Sequence, residues 1–390
     1  MIPSLRRKFN GNWTPAAYTR FLALIEQRGG TAARFRHSET PCFLPAPLVG
    51  RMAQYGREMV AQLQANESYQ RESTAAIPER YRVPGEAAVP LFVQADFGLD
   101  ARGEPRLVEI QGFPSLYAYQ PVMAECYREA YGLDAGLDAL PGGMSLERYH
   151  ALLRQAIVGA HDPANVILLE IDPEKQKTFC DFAVTERLFG VKAVDVRAVR
   201  KQGNRLLYKR GSQWTPVERI YNRAIVDELE RSRVEMPFDF RDDLALEWAG
   251  HPNWFFRLSK FSLPYLRHPA APAAQFLDRV TQVDRPEKYV LKPLYSFAGM
   301  GVVVGPTQQQ LDAVPAARRG AYLLQERIDF APLVETPAGP TKMEVRIMYI
   351  WQDELRAVNT IVRMGRGAQM GVDHNQGFDW VGASAGFIAP

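Results

Sequence analysis

The sequence predicts a mixed α/β (α+β) protein of more than one domain, and three observations predict it. A strand–helix–strand series runs through the middle of the chain, where the continuous apolar run 166–171 has the character of a buried parallel strand. Two pairs of period-two segments, 91–99 with 106–111 and 343–351 with 356–363, have the character of antiparallel strands. Between Glu287 and Thr307 two short β-like runs flank a glycine loop, EKYVLKPLYSFAGMGVVVGPT, which predicts a hairpin rather than a strand entering a helix. With 390 residues the chain exceeds what one core organises.

Composition excludes several classes of function. The chain is 46% hydrophobic and 23% charged with a net charge of +3, the balance of a globular protein in water. Basic residues are scattered among acids instead of forming a stripe, so no nucleic-acid partner is expected. No window approaches the length of a membrane span, and the opening MIPSLRRKFNGNW lacks the apolar core of a leader. A cytoplasmic protein with no membrane partner is therefore expected. Cys42, Cys126 and Cys180 are odd in number and far apart, which predicts buried reduced thiols. Nothing in the sequence signals oligomeric state, and a homodimer is compatible with it.

In chain order, 14–28 and 48–63 carry apolar residues at helical spacing and fill a helical N-terminal segment, 1–90. Arg34, Arg36 and His37 between them read as a solvated basic surface or as contacts to an anionic substrate. The next segment, 91–140, opens with LFVQADFGLDARGEPRLVEIQGFPSLYAY, two strands joined by turn chemistry. Alternation puts Glu109 and Gln111 on one face, and a suitably registered partner brings Asp96 to it. Oxygen donors so arranged suit Mg2+; the same pattern also suits acids on the wet face of a hairpin.

After LPGGMS, the segment 146–245 is read as a Rossmann-like domain. It has a helix at 146–158, strands at 166–171 and 191–196, a helix at 174–189 closed by Gly190, and short strands at 205–208 and 219–221. No GxGxxG fingerprint is present, and ligand contacts are expected at the carboxyl ends of its strands, 172–178 and 221–223. Tyr221 and Asn222 are candidate substrate contacts, and Arg223 reads as a structural ion pair ahead of a substrate contact. In the final segment, 246–390, aromatics at helix-like spacing surround Lys260, a helix is expected at 309–318, and YLLQERI ends an apolar strand at a hinge whose edge can pair with a purine ring. Glu344 and Arg346 point the same way on their strand. The glycine-rich end reads as a functional loop or a frayed terminus.

The glycine hairpin organises the rest. Glycines 299 and 301 let backbone amides approach an anion where a Cβ would block it, and Lys292 sits on the strand that feeds the loop. An ordinary hairpin with a solvated lysine has the same composition; the order of the other motifs favours a polyphosphate.

That order resembles the ATP-grasp superfamily in its circularly permuted form, typified by glutathionylspermidine synthase and the eukaryotic type of glutathione synthetase. The series Lys260, Lys292, 296–301, Gln325–Glu326, Arg346, Arg363 matches the superfamily order. The metal-binding piece that would close an unpermuted chain stands near the start instead, as ADFGLDARGEPRLVEIQGFPSL, with Gln111 where the family has Asn.

The resemblance implies a circularly permuted ATP-grasp fold and, position by position, the site residues. Lys260 and Lys292 would bind the α- and β-phosphates. The amides of Ala298, Gly299, Met300 and Gly301 would cover the β- and γ-phosphates, with Ser296 at the start of that loop, while Glu326 and the backbone near Ile328 would meet adenine and Gln325 would bind nucleotide on the same hinge strand. Asp96, Glu109 and Gln111 would hold Mg2+, and Arg346 and Arg363 would lie at the γ-phosphate as the catalytic cations. The implied activity is ATP- and Mg2+-dependent joining of a small-molecule acid to an amine through an acylphosphate. A non-catalytic ATP-binding protein and a small-molecule kinase are the alternatives on the same fold.

Overall fold

The structure, a computed structural model, describes residues 1–296, 299–375 and 377–390, with 372 and 373 described by backbone alone. The chain is mixed α/β, with helices against several separate sheets.

In the middle of the chain, Val166–Glu170 lies between parallel partners Lys192–Asp195 and Arg219–Asn222, and Glu247–Ala249 completes a four-stranded parallel sheet. Val166–Glu170 is buried along its whole length, as the unbroken apolar run requires. The following helix starts later than 174. Asp172 adopts a left-handed φ of 42°, Pro173–Lys175 forms a 3-10 turn, and Phe179–Phe189 is the α-helix, ending at Gly190 with φ 72°. The strand expected at 205–208 leaves this sheet. It is the Arg205–Arg210 centre of a three-stranded antiparallel meander.

Glu170, at the end of the central parallel strand, is 3% exposed, and burial pushes its carboxyl up to about 8 against the weaker pull of Arg223. The folded state therefore holds a proton that the unfolded chain releases, so this contribution to stability is lost as pH rises from the ordinary carboxylate range through about 8. Urea unfolding of the wild type should show that decline, and Glu170→Gln should flatten it.

The glycine hairpin belongs to a four-stranded antiparallel sheet in the order Ala274–Phe276, Tyr322–Glu326, Tyr289–Pro293, Val303–Val304. Tyr322–Glu326 is thus an inner strand, paired on both sides, and its hydrogen-bonding edge becomes free only where the ladder ends beyond Arg327. The helix expected at 309–318 is split into Gln308–Asp312 and a 3-10 turn, Ala316–Ala321, because Pro315 cannot continue the first piece. Around Lys260 the expected helical run is also broken. Asn253–Arg257 is helical, and Lys260–Tyr265, which contains Pro264, is 3-10.

A five-stranded antiparallel sheet joins the two ends of the sequence. Its order is Gly382–Ser384, Leu355–Gly365, Lys342–Trp351, Phe92–Leu99, Pro105–Gln111. Asp96 pairs with Arg346 on one side and with Glu109 on the other, although about 250 residues separate the first two. Helix Ala46–Ala65 covers one face so closely that a Cβ at Gly56 would lie 2.0 Å from Tyr349 Oη. Beyond the sheet, Gly386–Ala389 runs parallel to Cys42–Pro45 and is buried, so the chain end is packed, not frayed. All three cysteines are buried free thiols. Among the described residues no helix is long and apolar enough to cross a membrane.

Candidate functional site

The uncovered face of the five-stranded sheet carries charge in two rows set by strand register. Glu109, Asp96, Arg346 and Ile361 form one row across the strands, and Gly98, Glu344, Arg363 and Ala383 form the next. The glycine hairpin faces these rows, and a cavity of about 610 Å3 lies between them. Lys260, Lys292, Ser296, Gly299, Gln325, Glu326 and Ile328 line it together with Asp96, Glu109, Gln111, Arg346 and Arg363. Residues that the resemblance gathers from both ends of the chain thus share one volume. Met300 and Gly301 do not line it: Met300 is 41% exposed at the loop tip, its sulfur 3.0 Å from Arg231 Nη1. Ala298 lies outside the described residues.

Lys292 is buried, and its Nζ donates to Gln325 Oε1 at 2.6 Å and to Val108 O at 2.9 Å. Burial lowers its pKa to about 8, against the opposing pull of Glu109. Gln325 also donates to Leu107 O at 3.3 Å and so ties the lysine strand to Pro105–Gln111. Lys260 Nζ donates to Ser296 O at 2.7 Å, which anchors the root of the glycine loop, and lies 3.6 Å from Glu109. The two loop glycines have φ of 75° and 71°, and a Cβ on Gly301 would come within 2.9 Å of Pro293, so the hairpin is tight as well as left-handed.

The acidic side differs from a waiting metal cage. Asp96 is 1% exposed; Arg346 grips it through Nε at 2.5 Å and Nη2 at 2.7 Å, and Arg363 reaches the same carboxylate and that of Glu344. Burial pushes the Asp96 carboxyl up, but the two guanidinium groups outweigh it and hold it below the usual range. Glu344, buried beside Asp96 with Arg363 as its counter-ion, is pushed up instead. The Gln111 amide, oriented to satisfy its neighbours, turns its oxygen to both terminal nitrogens of Arg346 at 3.1 Å. Glu109 has looser ion pairs, 3.6 Å to Lys260 and 3.9 Å to Arg346. Burial raises its carboxyl, and Lys260 with Lys292 and Arg346 brings it net below the ordinary value. Four cations against three carboxylates leave the cluster with an excess of positive charge, suited to an anion. Among the described residues no group of three or more Asp, Glu, His or Cys side chains is arranged to hold a metal.

Other lining residues carried little sequence signal. Glu344 is legible in the sequence as the i, i−2 neighbour of Arg346, but nothing there signals its place in the cluster. Phe330 reaches the cavity because residue 98 is glycine: a Cβ there would lie 2.4 Å from the ring. From the C-terminal loop, Gln369 donates to Val302 O at 3.0 Å, and Gln369 and His374 lie against Gly299, so this loop straps the glycine hairpin. Lys177 and Thr178, within the carboxyl-end segment expected to meet a ligand, do line the cavity, whereas Tyr221, Asn222 and Arg223 do not. Arg223 forms the buried ion pair expected of it, 2.8 Å from Asp181. Arg34 is exposed and Arg36, paired with Glu39, is partly so, whereas the His37 ring is buried 2.7 Å from Tyr119 Oη; none of the three lines the cavity.

No protein-family model matches the chain, and no curated protein matches it either.

Proposed function

We propose that the chain is an ATP- and Mg2+-dependent carboxylate–amine ligase on a circularly permuted ATP-grasp fold, acting on a small molecule or peptide through an acylphosphate. The observation that carries this reading is the shared cavity: acidic residues from 96–111 face the lysine and glycine hairpin of 287–307 across one volume, beside two arginines.

In this reading Lys260 and Lys292 bind the phosphates, with the backbone of Ser296 and Gly299 beside them. Glu326 and Ile328 flank the adenine at the point where the strand edge becomes free, and Gln325 is a positioning residue for Lys292. The donor set fits a divalent ion that arrives with phosphates, not one caged by protein alone. Glu109 has oxygens free of short contacts, and those of Asp96 are released once a triphosphate competes for Arg346 and Arg363. Bound between Asp96 and Glu109, the ion would neutralise charge on the transferring phosphoryl group. Gln111, turned to Arg346, is a weaker donor to it.

The acid's carboxylate oxygen attacks the γ-phosphorus, the bond to the β,γ-bridging oxygen breaks, and ADP leaves. The amine then attacks the acyl carbon, phosphate leaves, and the amine proton passes to solvent. Arg346 and Arg363 stabilise the charge that develops on the phosphoryl oxygens, and Arg363 has a buried Nε–H with no partner among the described residues. Positioning supplies about 7–11 kcal/mol of such chemistry, and the strapped hairpin keeps water from the acylphosphate.

A screen of amino acids, peptides and polyamines for ADP release from Mg-ATP tests the activity. Release that needs two co-substrates is the expected result. Release with one, yielding a stable phospho-product, would make the protein a kinase, and binding without release a nucleotide-responsive module.

A further inference from the structure

Along the sheet face, the cavity changes character beyond Arg363. Ile361, two residues back on the same strand, and Ala383, paired directly with Arg363, replace charge with apolar surface. Phe35 and Leu116 line the same cavity with Lys177 and Thr178, and Met370 lines it from the loop that straps the glycine hairpin.

The wall is built, not incidental. Leu116 has a left-handed φ of 61°, a conformation that a side-chain-bearing residue adopts only when its surroundings hold it there. Here Asp181 does so. It accepts from the Leu116 N–H at 3.1 Å, from Ala118 at 2.9 Å and from Tyr119 at 3.0 Å, and is neutralised by Arg223. The Tyr119 ring in turn meets Phe35 edge-on at 6.0 Å. One buried ion pair thus fixes both aromatic and aliphatic walls of a compartment on the far side of the arginines from the hinge.

We infer that this compartment takes the acid substrate, and that the acid is a monocarboxylate with an apolar side group. The carboxylate would lie toward Arg363 and Lys177, and the side group would lie between Phe35, Leu116, Ile361 and Met370. The inference deepens the ligase reading and rests on it. A cationic amine entering first would meet cations, and a second carboxylate would be desolvated against hydrocarbon without a partner.

Hydroxylamine tests the acid site without knowledge of the amine, because it converts an acylphosphate to a hydroxamate with release of phosphate. The probes are 3-phenylpropionate and 4-methylpentanoate against acetate and glutarate, with Mg-ATP present. The apolar acids should give hydroxamate at a KM at least about tenfold below that of the other two. Phe35→Ser and Met370→Ser, on separate segments of the chain, should each raise the KM for 3-phenylpropionate by about tenfold or more and leave the Kd for ATP near the wild-type value. If ATP binds but glutarate or acetate is preferred, or if neither variant moves the acid KM, the inference is wrong while the nucleotide site stands. If the wild type binds no ATP, the ligase reading fails and this inference with it.

Discussion

Lys292→Ala should bind Mg-ATP more weakly than the wild type by about 2–5 kcal/mol, from tens-fold to thousands-fold in Kd, while the chain stays folded. The lysine is the deepest cation at the hairpin, and with two of its donors fixed on Val108 O and Gln325 Oε1 it meets an incoming phosphate already oriented. Its depressed pKa adds a signature that a surface lysine lacks. Above about 8 the free protein has lost the proton that phosphate binding must restore, so nucleotide affinity should fall with rising pH in the wild type and not in the variant. Stability should move in the opposite direction. Between about 8 and the ordinary lysine value of 10.5 the unfolded chain binds the proton and the folded one does not, so the wild type gains stability as pH rises through that window. Titration calorimetry at several pH values, paired with urea unfolding, reads both. A Kd unchanged by the substitution would remove Lys292 from the site.

Arg346→Ala should destabilise the fold itself, by about 3–5 kcal/mol, because it strips the bidentate partner from a carboxylate that is 1% exposed. The family resemblance implies a role for this arginine in turnover. The register of the five-stranded sheet adds a structural duty, since Asp96 stands directly opposite it. Replacing both residues with apolar side chains should restore most of the lost stability, since the buried charge is removed along with its partner. A double-mutant cycle of urea unfolding measures the coupling, and a single-variant loss below about 1 kcal/mol would mean that Arg363 alone satisfies Asp96. Kinetics of Arg346→Ala therefore need a folded-fraction correction before any loss of turnover is assigned to chemistry.

What the sequence disclosed and what it hid divide along physical lines. Period-two and apolar runs found the strands that carry Asp96, Glu109, Lys292, Arg346 and Arg363, because a strand's faces follow from its own alternation. Glycine at 299 and 301 announced the left-handed turn that the structure contains. Three-dimensional partners were not legible. That Asp96 is shared by two guanidinium groups, and that Gln325 ties Lys292 to the strand of Leu107, depends on contacts between strands more than 200 residues apart. Leu116 gave no sign of its left-handed backbone, since the cause, Asp181, is 65 residues away on a helix. Residues 174–178 and 309–318 read as helix because their composition permits it; the first stretch is a 3-10 turn followed by irregular backbone, and Pro315 divides the second.

The central claim is that carboxylates from the start of the chain and the basic hairpin near its end hold one triphosphate. The most direct test is the structure of the protein with a non-hydrolysable ATP analogue and Mg2+. The predicted result is a triphosphate between Lys260, Lys292 and Gly299, the metal at Glu109 and Asp96, and Arg346 or Arg363 drawn off Asp96 toward the γ-phosphate. Nucleotide bound elsewhere, or no nucleotide at saturating concentration with the cavity's ion pairs intact, would contradict it.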